Sequence, residues 1–562
     1  MSRKFSLHYT GLAGVIALGA ILRWWHLDLK PLWMDEVITA IFSLGKNYLD
    51  LPMDVVFPAA QLPEIFTWKP GVSCAQIAQN IANQSTHPPL FFCGMHSWLG
   101  WMSLGKNGVA MRSLSALYGV GAIVVIYFVN RIAFSPTAGI MAAILMAVSP
   151  FAVYLSQEAR HYTLPMLLIS LALLGLVQIQ RDIEQRQTVR FPVWLFWAII
   201  NSIGLYVHYF FVIAFVAQIA TLITTQHRML GLRLRSMPSL EGRGRKIWLA
   251  LILSVSGVAL SFLPWLAIVL NHFNRSETNW LDKPNYIAPL YHTLIGWILM
   301  VITLPVENQP LSITVISGLL MLLFSVWLGW QVFKGIKQLW RTPSTHLSTL
   351  TLLSFSGWVL LEFFALVYLS KKDITTVPRY NFVYYPSFCA LIAASFFQRQ
   401  NNGVRRNSFL ILVLVSVLSS IFVISNLVFQ KPFQPERVAQ NMNLEPTTPL
   451  MLVVGYRDYQ DVALGLSFAL ALEPLRETKA TTNFAFFKQS PDFDSVWQKL
   501  SQLPTPKTSK LNLWVVGPGR RRRDYPQQVV VSGQITCNID TQQYYRIGIP
   551  YQLYRCEDFK GK

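Results

Sequence analysis

Charge is scarce in this 562-residue chain, and acidic charge scarcest: 13% of residues are Asp, Glu, Lys or Arg, with 27 acidic against 47 basic. Soluble domains carry about 25% charged residues, so a wholly water-exposed globular chain is excluded. Cysteine is sparse too. The five cysteines, at 74, 93, 389, 537 and 556, show no metal-ligand spacing. No internal repeat and no low-complexity tract is visible, which removes the symmetry between halves that many transporters carry. A cleavable leader is also missing. The apolar run after Ser2-Arg3-Lys4 leads into Arg23-Trp24-Trp25-His26 instead of a small-residue cleavage site, so it reads as a retained first span.

What is present is hydrophobicity: 53% of residues, with a mean hydropathy of +0.39. A polytopic α-helical membrane protein is the class this implies. Apolar segments of spanning size fall near 9–27, 88–104, 112–130, 138–155, 162–180, 192–226, 247–270, 287–304, 311–333, 348–369, 381–398 and 408–428. The net charge of +20 is better explained by cytoplasmic loops than by nucleic acid. Its basic stretches are Arg181, Arg186 and Arg190; Arg228, Arg233, Arg235, Arg243, Arg245 and Lys246; Lys334, Lys337 and Arg341; and Arg399, Arg405 and Arg406. Keeping all four inside constrains the count. The 192–226 run becomes two short spans with an outer apex near Tyr206-Val207-His208-Tyr209, while 88–104 and 287–304 lie at the outer surface. The expectation is about 11 spans in a multi-pass plasma (inner) membrane protein. The N-terminus is cytoplasmic, residues 28–111 form a first extracytoplasmic loop with interfacial helices, and the tail from 430 is outside.

The tail, 430–562, reads as a soluble α/β domain. Met451–Gly455 and Leu513–Gly517 look like buried strands, 461–472 and 495–503 like helices, and alternation near 528–536 and 544–555 like further strands. Cys537 and Cys556 are a candidate disulfide if this domain lies outside the cytoplasm. Arg520 to Arg523 form either a solvated basic loop or a contact for anionic lipid head groups.

Polar residues without an anchoring role mark the outer side. Asp35 and Glu36 follow the first span among Trp24, Trp25 and Trp33. Interfaces favour Trp, Tyr, Lys and Arg, so an acidic pair there points to a general base at the bilayer surface. In Thr86-His87-Pro88-Pro89 the prolines suit a helix start and would hold His87 rigidly; His87 could equally be incidental to that start. Glu158, Arg160 and Tyr162 occupy a very short loop between apolar spans, either facing a cavity or forming a local ion pair. Arg suits a bidentate phosphate contact. His208 sits at the short apex. Arg379 and Tyr380 precede a late span, where Arg379 is a second phosphate ligand or a snorkelling interfacial cation. Glu362 is an ionisable group within a span.

The order of these motifs is an acidic pair after the first span, His-Pro-Pro-Leu, Gln-Glu-Ala-Arg-x-Tyr, a His-Tyr apex and Pro-Arg-Tyr. It resembles the bacterial membrane glycosyltransferases of the C superfamily, family 39-like, related to protein O-mannosyltransferases and the lipid A aminoarabinose transferase. The resemblance covers about 1–430, making that the transmembrane glycosyltransferase domain; it does not cover the tail. It implies inverting transfer of a hexosyl or pentosyl group from a polyprenyl-phosphate-linked sugar to a hydroxyl of a protein, glycolipid or glycan at the outer face. It further implies Asp35 as base, with Glu36 its companion. Some relatives carry Asp where this chain has Glu158. Metal use differs across the superfamily, so a divalent metal stays open. Two other classes compete with this reading: a lipid-linked-sugar transporter or flippase, and a non-catalytic membrane scaffold.

Overall fold

The computed structural model describes residues 2–557 except 103–106, 187, 234–240, 274, 276–280, 282, 398–402, 478, 504–509 and 534. Arg235 and Arg399 lie outside the described residues, as do the side chains of Arg228, Arg233, Arg243, Arg405 and Arg406. The chain forms two compact units. The first holds Met1–Leu27, Thr86–Phe91 and Arg112–Phe429; the second holds Asp28–Ser85, Phe92–Met111 and Gln430–Lys562.

The first unit is helical. Among the described residues, seven helices are long and apolar enough to cross a membrane: Leu7–Trp24, Gly108–Ala133, Thr163–Arg186, Gly244–His272, Leu311–Arg341, Pro343–Ser370 and Asn407–Ile424. Pro136–Val148 and Pro150–Ser156 form a pair bent by 58° that makes an eighth. The other expected spans correspond to shorter apolar helices, Phe191–Leu205, Phe211–Gln226 and Tyr385–Phe397. The long 192–226 run therefore breaks as its length requires, with residues 206–210 forming the turn.

The bend at Ser149-Pro150 follows from proline, which lacks an N–H and pushes the preceding residue out of the helical region. Ser149 is extended (φ −64°, ψ 126°). Its hydroxyl accepts from the Ala152 N–H at 3.4 Å and donates to the Met300 carbonyl at 2.9 Å. The last carbonyls of Pro136–Val148 have no partners within their own helix. Arg23, fully buried, donates to Met146 O at 2.8 Å and Ala147 O at 2.9 Å, and Ser420 Oγ donates to Val148 O at 2.7 Å. A cation at a helix C-terminus is also favoured by the helix dipole. These contacts lock the corner from which the 157–162 turn departs.

The second unit is built on a seven-stranded sheet: β1 (Val56–Pro58), β2 (Leu450–Tyr456), β3 (Thr482–Lys488), β4 (Lys510–Val516), β5 (Gln528–Val531), β6 (Ile535–Ile547) and β7 (Ile549–Glu557), in the order β1-β3-β2-β4-β7-β6-β5. Strands β2, β3 and β4 are parallel, and the remaining pairings are antiparallel. β2 is buried along its whole length, as a strand covered on both faces must be. Helices Tyr459–Leu472 and Asp494–Ser501 make the crossovers. Cys537 and Cys556 face each other across β6 and β7 and are bridged. The expected fold class, a polytopic helical membrane protein with an α/β domain, is borne out.

The domain division drawn from the sequence, 1–429 and 430–562, leaves the 28–111 segment with the helices. The structure instead joins most of it to the tail. β1 extends the sheet beside β3. Helix Met34–Ser43 packs on Tyr459–Leu472, Tyr48 stacks on Tyr459 at 4.5 Å, and Ser467 Oγ donates to Leu32 O at 2.8 Å. A second disulfide, Cys74–Cys93, ties Cys74–Gln84 to the 90–102 helix. The basic tetrad is partly structural: Arg520 lies 4.2 Å over the Phe493 ring, and Arg522 donates to Thr541 O at 2.6 Å.

Candidate functional site

Three separated stretches of the first unit come together with the 206–210 turn. The first is the turn Gln157 to Tyr162, held at its start by Gln157 Nε2 donating to Trp25 O at 2.8 Å. Ser115 Oγ donates to Arg160 O at 3.1 Å, and the Arg160 N–H to Glu158 O at 2.7 Å. Glu158, Arg160, His161 and Tyr162 are all buried. The second stretch is Thr86 to Phe91, tied to the apex by the Leu90 N–H donating to Tyr206 O at 3.1 Å. The third runs through Asp373 to Val383. Buried Asp373 accepts from the Thr375 N–H at 3.0 Å and lies 3.2 Å from His292 Nδ1, which fixes the loop leading to the short Pro378–Val383 helix. That helix carries Arg379 and Tyr380.

The side chains converge on rings. Arg160 and Arg379 each stand 5.7 Å from the centre of the Tyr162 ring, a cation–π distance. Arg160 Nη2 lies 3.4 Å from His87 Nε2. His161 touches His87 at 4.8 Å, His208 at 4.7 Å and Tyr162 at 4.8 Å between ring centres. His208 lies 4.9 Å from Phe382 and 6.5 Å from Tyr380. Thus His87, Arg160, Tyr162, His208, Arg379 and Tyr380 come together, with Glu158 in the same turn.

Burial first, and then the Arg160 charge, push His208 down to about 3. The same causes hold His87 and His161 well below the usual imidazole range, with His208 and Arg379 adding to the effect. Desolvation and like charge both oppose a further cation. The site therefore pairs two permanent charges with three neutral imidazoles. His161 and Phe382 are the residues the sequence reading passed over. His161 stood inside the Glu158–Tyr162 motif, but only the meeting of three loops makes it central. Glu362 is half-buried in Pro343–Ser370.

Asp35 and Glu36 belong to the second unit. Both are buried in the first turn of Met34–Ser43, where negative charge is favoured by the helix dipole. Glu36 Oε2 accepts from the Trp33 N–H at 3.4 Å, a capping contact. Lys431 stands 4.3 Å over the Trp33 ring. Among the described residues, no group of three or more His, Cys, Asp or Glu side chains is arranged to hold a metal ion.

Comparison with known proteins adds to this geometry. The family described as dolichyl-phosphate-mannose-protein mannosyltransferase matches residues 86–259, the segment that holds His87, Glu158, Arg160, Tyr162 and His208. No curated protein matches by sequence. ArnT from Cupriavidus metallidurans, solved bound to undecaprenyl phosphate, matches over 97% of this chain and 98% of that one, with 12% identity and a TM-score of 0.50. The oligosaccharyltransferase of Archaeoglobus fulgidus matches over 82% of this chain at 14% identity and a TM-score of 0.47; the match spans 61% of the archaeal chain. The Pmt1-Pmt2 complex of S. cerevisiae matches over 47% of this chain and 34% of that one, at 15% identity and a TM-score of 0.34. This chain resembles the membrane glycosyltransferases of the C superfamily, in fold over nearly its whole length and in sequence over residues 86–259.

Proposed function

We propose that this protein is an inverting glycosyltransferase that moves a sugar from a polyprenyl-phosphate donor to an acceptor hydroxyl at the extracytoplasmic face of the inner membrane. The observation that carries the reading is the convergence of Arg160 and Arg379 on the Tyr162 ring, with His87 and His208 beside them. Two arginines on a rigid aromatic floor suit a phosphate group. In this reading the acceptor O–H gives its proton to Asp35, and the acceptor oxygen forms a bond to the anomeric carbon. The bond from that carbon to the phosphate oxygen breaks, and the electron pair leaves with polyprenyl phosphate. A phosphate leaving group needs no general acid, so one carboxylate suffices. Arg160 and Arg379 stabilise the charge that grows on the departing phosphate. The bridged pairs Cys74–Cys93 and Cys537–Cys556 support an oxidising side for the 28–111 segment and the tail, hence a cytoplasmic N-terminus.

The test is sugar transfer from a radiolabelled panel of hexosyl and pentosyl polyprenyl phosphates, by purified protein in lipid, beside Asp35→Asn with its folding verified. Wild-type turnover that falls about 10²- to 10⁴-fold in the variant supports the reading and names the sugar. Undiminished turnover in Asp35→Asn removes Asp35 as base, and absence of both turnover and donor binding removes the transferase reading.

A further inference from the structure

His208 lies in the turn at 206–210 and is 8% exposed. The backbone N–H of Phe210 donates to its Nδ1 at 3.0 Å. A nitrogen that accepts carries no proton, so the one ring proton of the neutral imidazole must sit on Nε2. The chain itself thus sets the tautomer. The turn is held in turn by the His208 N–H donating to Gly204 O at 3.1 Å and the Phe211 N–H donating to His208 O at 2.9 Å. Gly204 is packed so closely that a Cβ there would come within 2.3 Å of the Phe211 ring. The imidazole has little freedom to turn away.

Among the described residues, no hydrogen bond reaches Nε2. The Nε2–H is not sealed inside the protein, so an acceptor can reach it. The neighbouring rings are those of His161, Phe382, Phe210, Tyr162 and Tyr380, at 4.7, 4.9, 5.3, 5.9 and 6.5 Å. What the place calls for is an acceptor oxygen, and Arg160 and Arg379 over the shared Tyr162 ring select an anionic one.

We propose that His208, as a neutral imidazole, donates Nε2–H to a phosphate oxygen of the group held by Arg160 and Arg379. It adds a directed hydrogen bond without adding a third charge, so the site orients the phosphate while the released product is not bound as tightly as a third cation would bind it. This rests on the phosphate reading above.

The test is equilibrium binding of undecaprenyl phosphate to the full chain in lipid nanodiscs, for wild type, His208→Phe, His208→Gln and Arg160→Ala. Phe keeps the ring and removes the donor, and affinity falls about tenfold or more. Gln places an amide N–H near the Nε2 position and stays within about threefold of wild type. Should His208→Phe fail to fold, His208→Asn, whose shorter amide reaches only the Nδ1 position, takes its place with the same expected loss. Equal losses in the Gln and Phe variants would mean packing alone and overturn the inference. So would unchanged affinity in His208→Phe; with binding lost in Arg160→Ala, that result leaves the phosphate reading standing. Failure of wild type to bind overturns both. Inorganic phosphate serves as competitor: displacement assigns the contact to the phosphate group alone, and no displacement assigns it to the lipid-anchored phosphate.

Discussion

Two buried arginines, one in each unit, stand in different surroundings. Arg476 in the second unit is 4% exposed and meets fixed oxygens on every side: Thr482 Oγ1 and Asn443 Oδ1 at 3.1 Å, Glu445 O at 2.8 Å, and Thr448 O. It staples β3 to the segment before β2. Arg160 in the first unit is 3% exposed, yet its neighbours include a tyrosine face and an imidazole held neutral. Burial alone does not separate a structural cation from a recognising one; the surroundings do. Carbonyls and hydroxyls that answer each N–H make an architectural contact. Arg160 has rings beside it, and in the proposed reading it also meets a phosphate. The surroundings of the carboxylates differ too. Asp461 and Asp540 are closed by Arg457 and Arg555 at 2.9 and 2.8 Å; Asp35 stands in the first turn of a helix, next to Glu36, whose carboxylate caps it.

The sharpest way to break this contrast is to exchange the two arginines' fates. Arg160→Ala is expected to lower sugar transfer by about 10²- to 10³-fold with little change in thermal midpoint, and Arg160→Lys to recover only part, because an ammonium cannot form the planar fork. A purely structural loss in Arg160→Ala, seen as unfolding with normal turnover per folded molecule, would erase the distinction. Arg476→Met should do the reverse. It strands four acceptors and is expected to lower stability by about 2–4 kcal/mol, read from denaturant midpoints, while transfer per folded molecule is retained.

A smaller effect comes from pH. The three imidazoles are neutral in the fold, with His208 at about 3 against an ordinary value of 6.5, so between these values the unfolded chain binds more protons. Stability from this source is fully present above about 6.5 and is lost as the pH falls. Going from pH 7 to pH 5, His208 alone accounts for about 2 kcal/mol. The thermal midpoint should drop over that range, and His208→Phe should flatten the drop; an unchanged slope would mean the ring titrates normally. The smallest effect is expected at Glu36→Gln, about 0.5–1 kcal/mol from a weakened cap and dipole contact. A much larger loss of turnover than of stability there would give Glu36 a chemical part beyond capping.

The sequence alone determined the helical segments, the need for a break in the 192–226 run, the strands near 451–455 and 513–517, and the polar residues worth watching. Each of these rests on a local pattern: apolar length against bilayer thickness, uninterrupted apolar runs for buried strands, and charge where lipid makes charge costly. Tertiary structure decided the rest. β1 is three residues long and has no period to read; it exists because β3 offers it an edge. β3 itself, Thr482 to Lys488, carries no turn signal strong enough to set it apart. Cys74 and Cys93 are far from any pattern, and their pairing follows only from how the 74–84 and 90–102 helices meet. His161 became central only when the 86–91, 157–162 and 206–210 stretches folded onto one another. Local sequence sets which backbone each segment adopts, while contacts between distant segments depend on loop closure and mutual burial, which no window of residues contains.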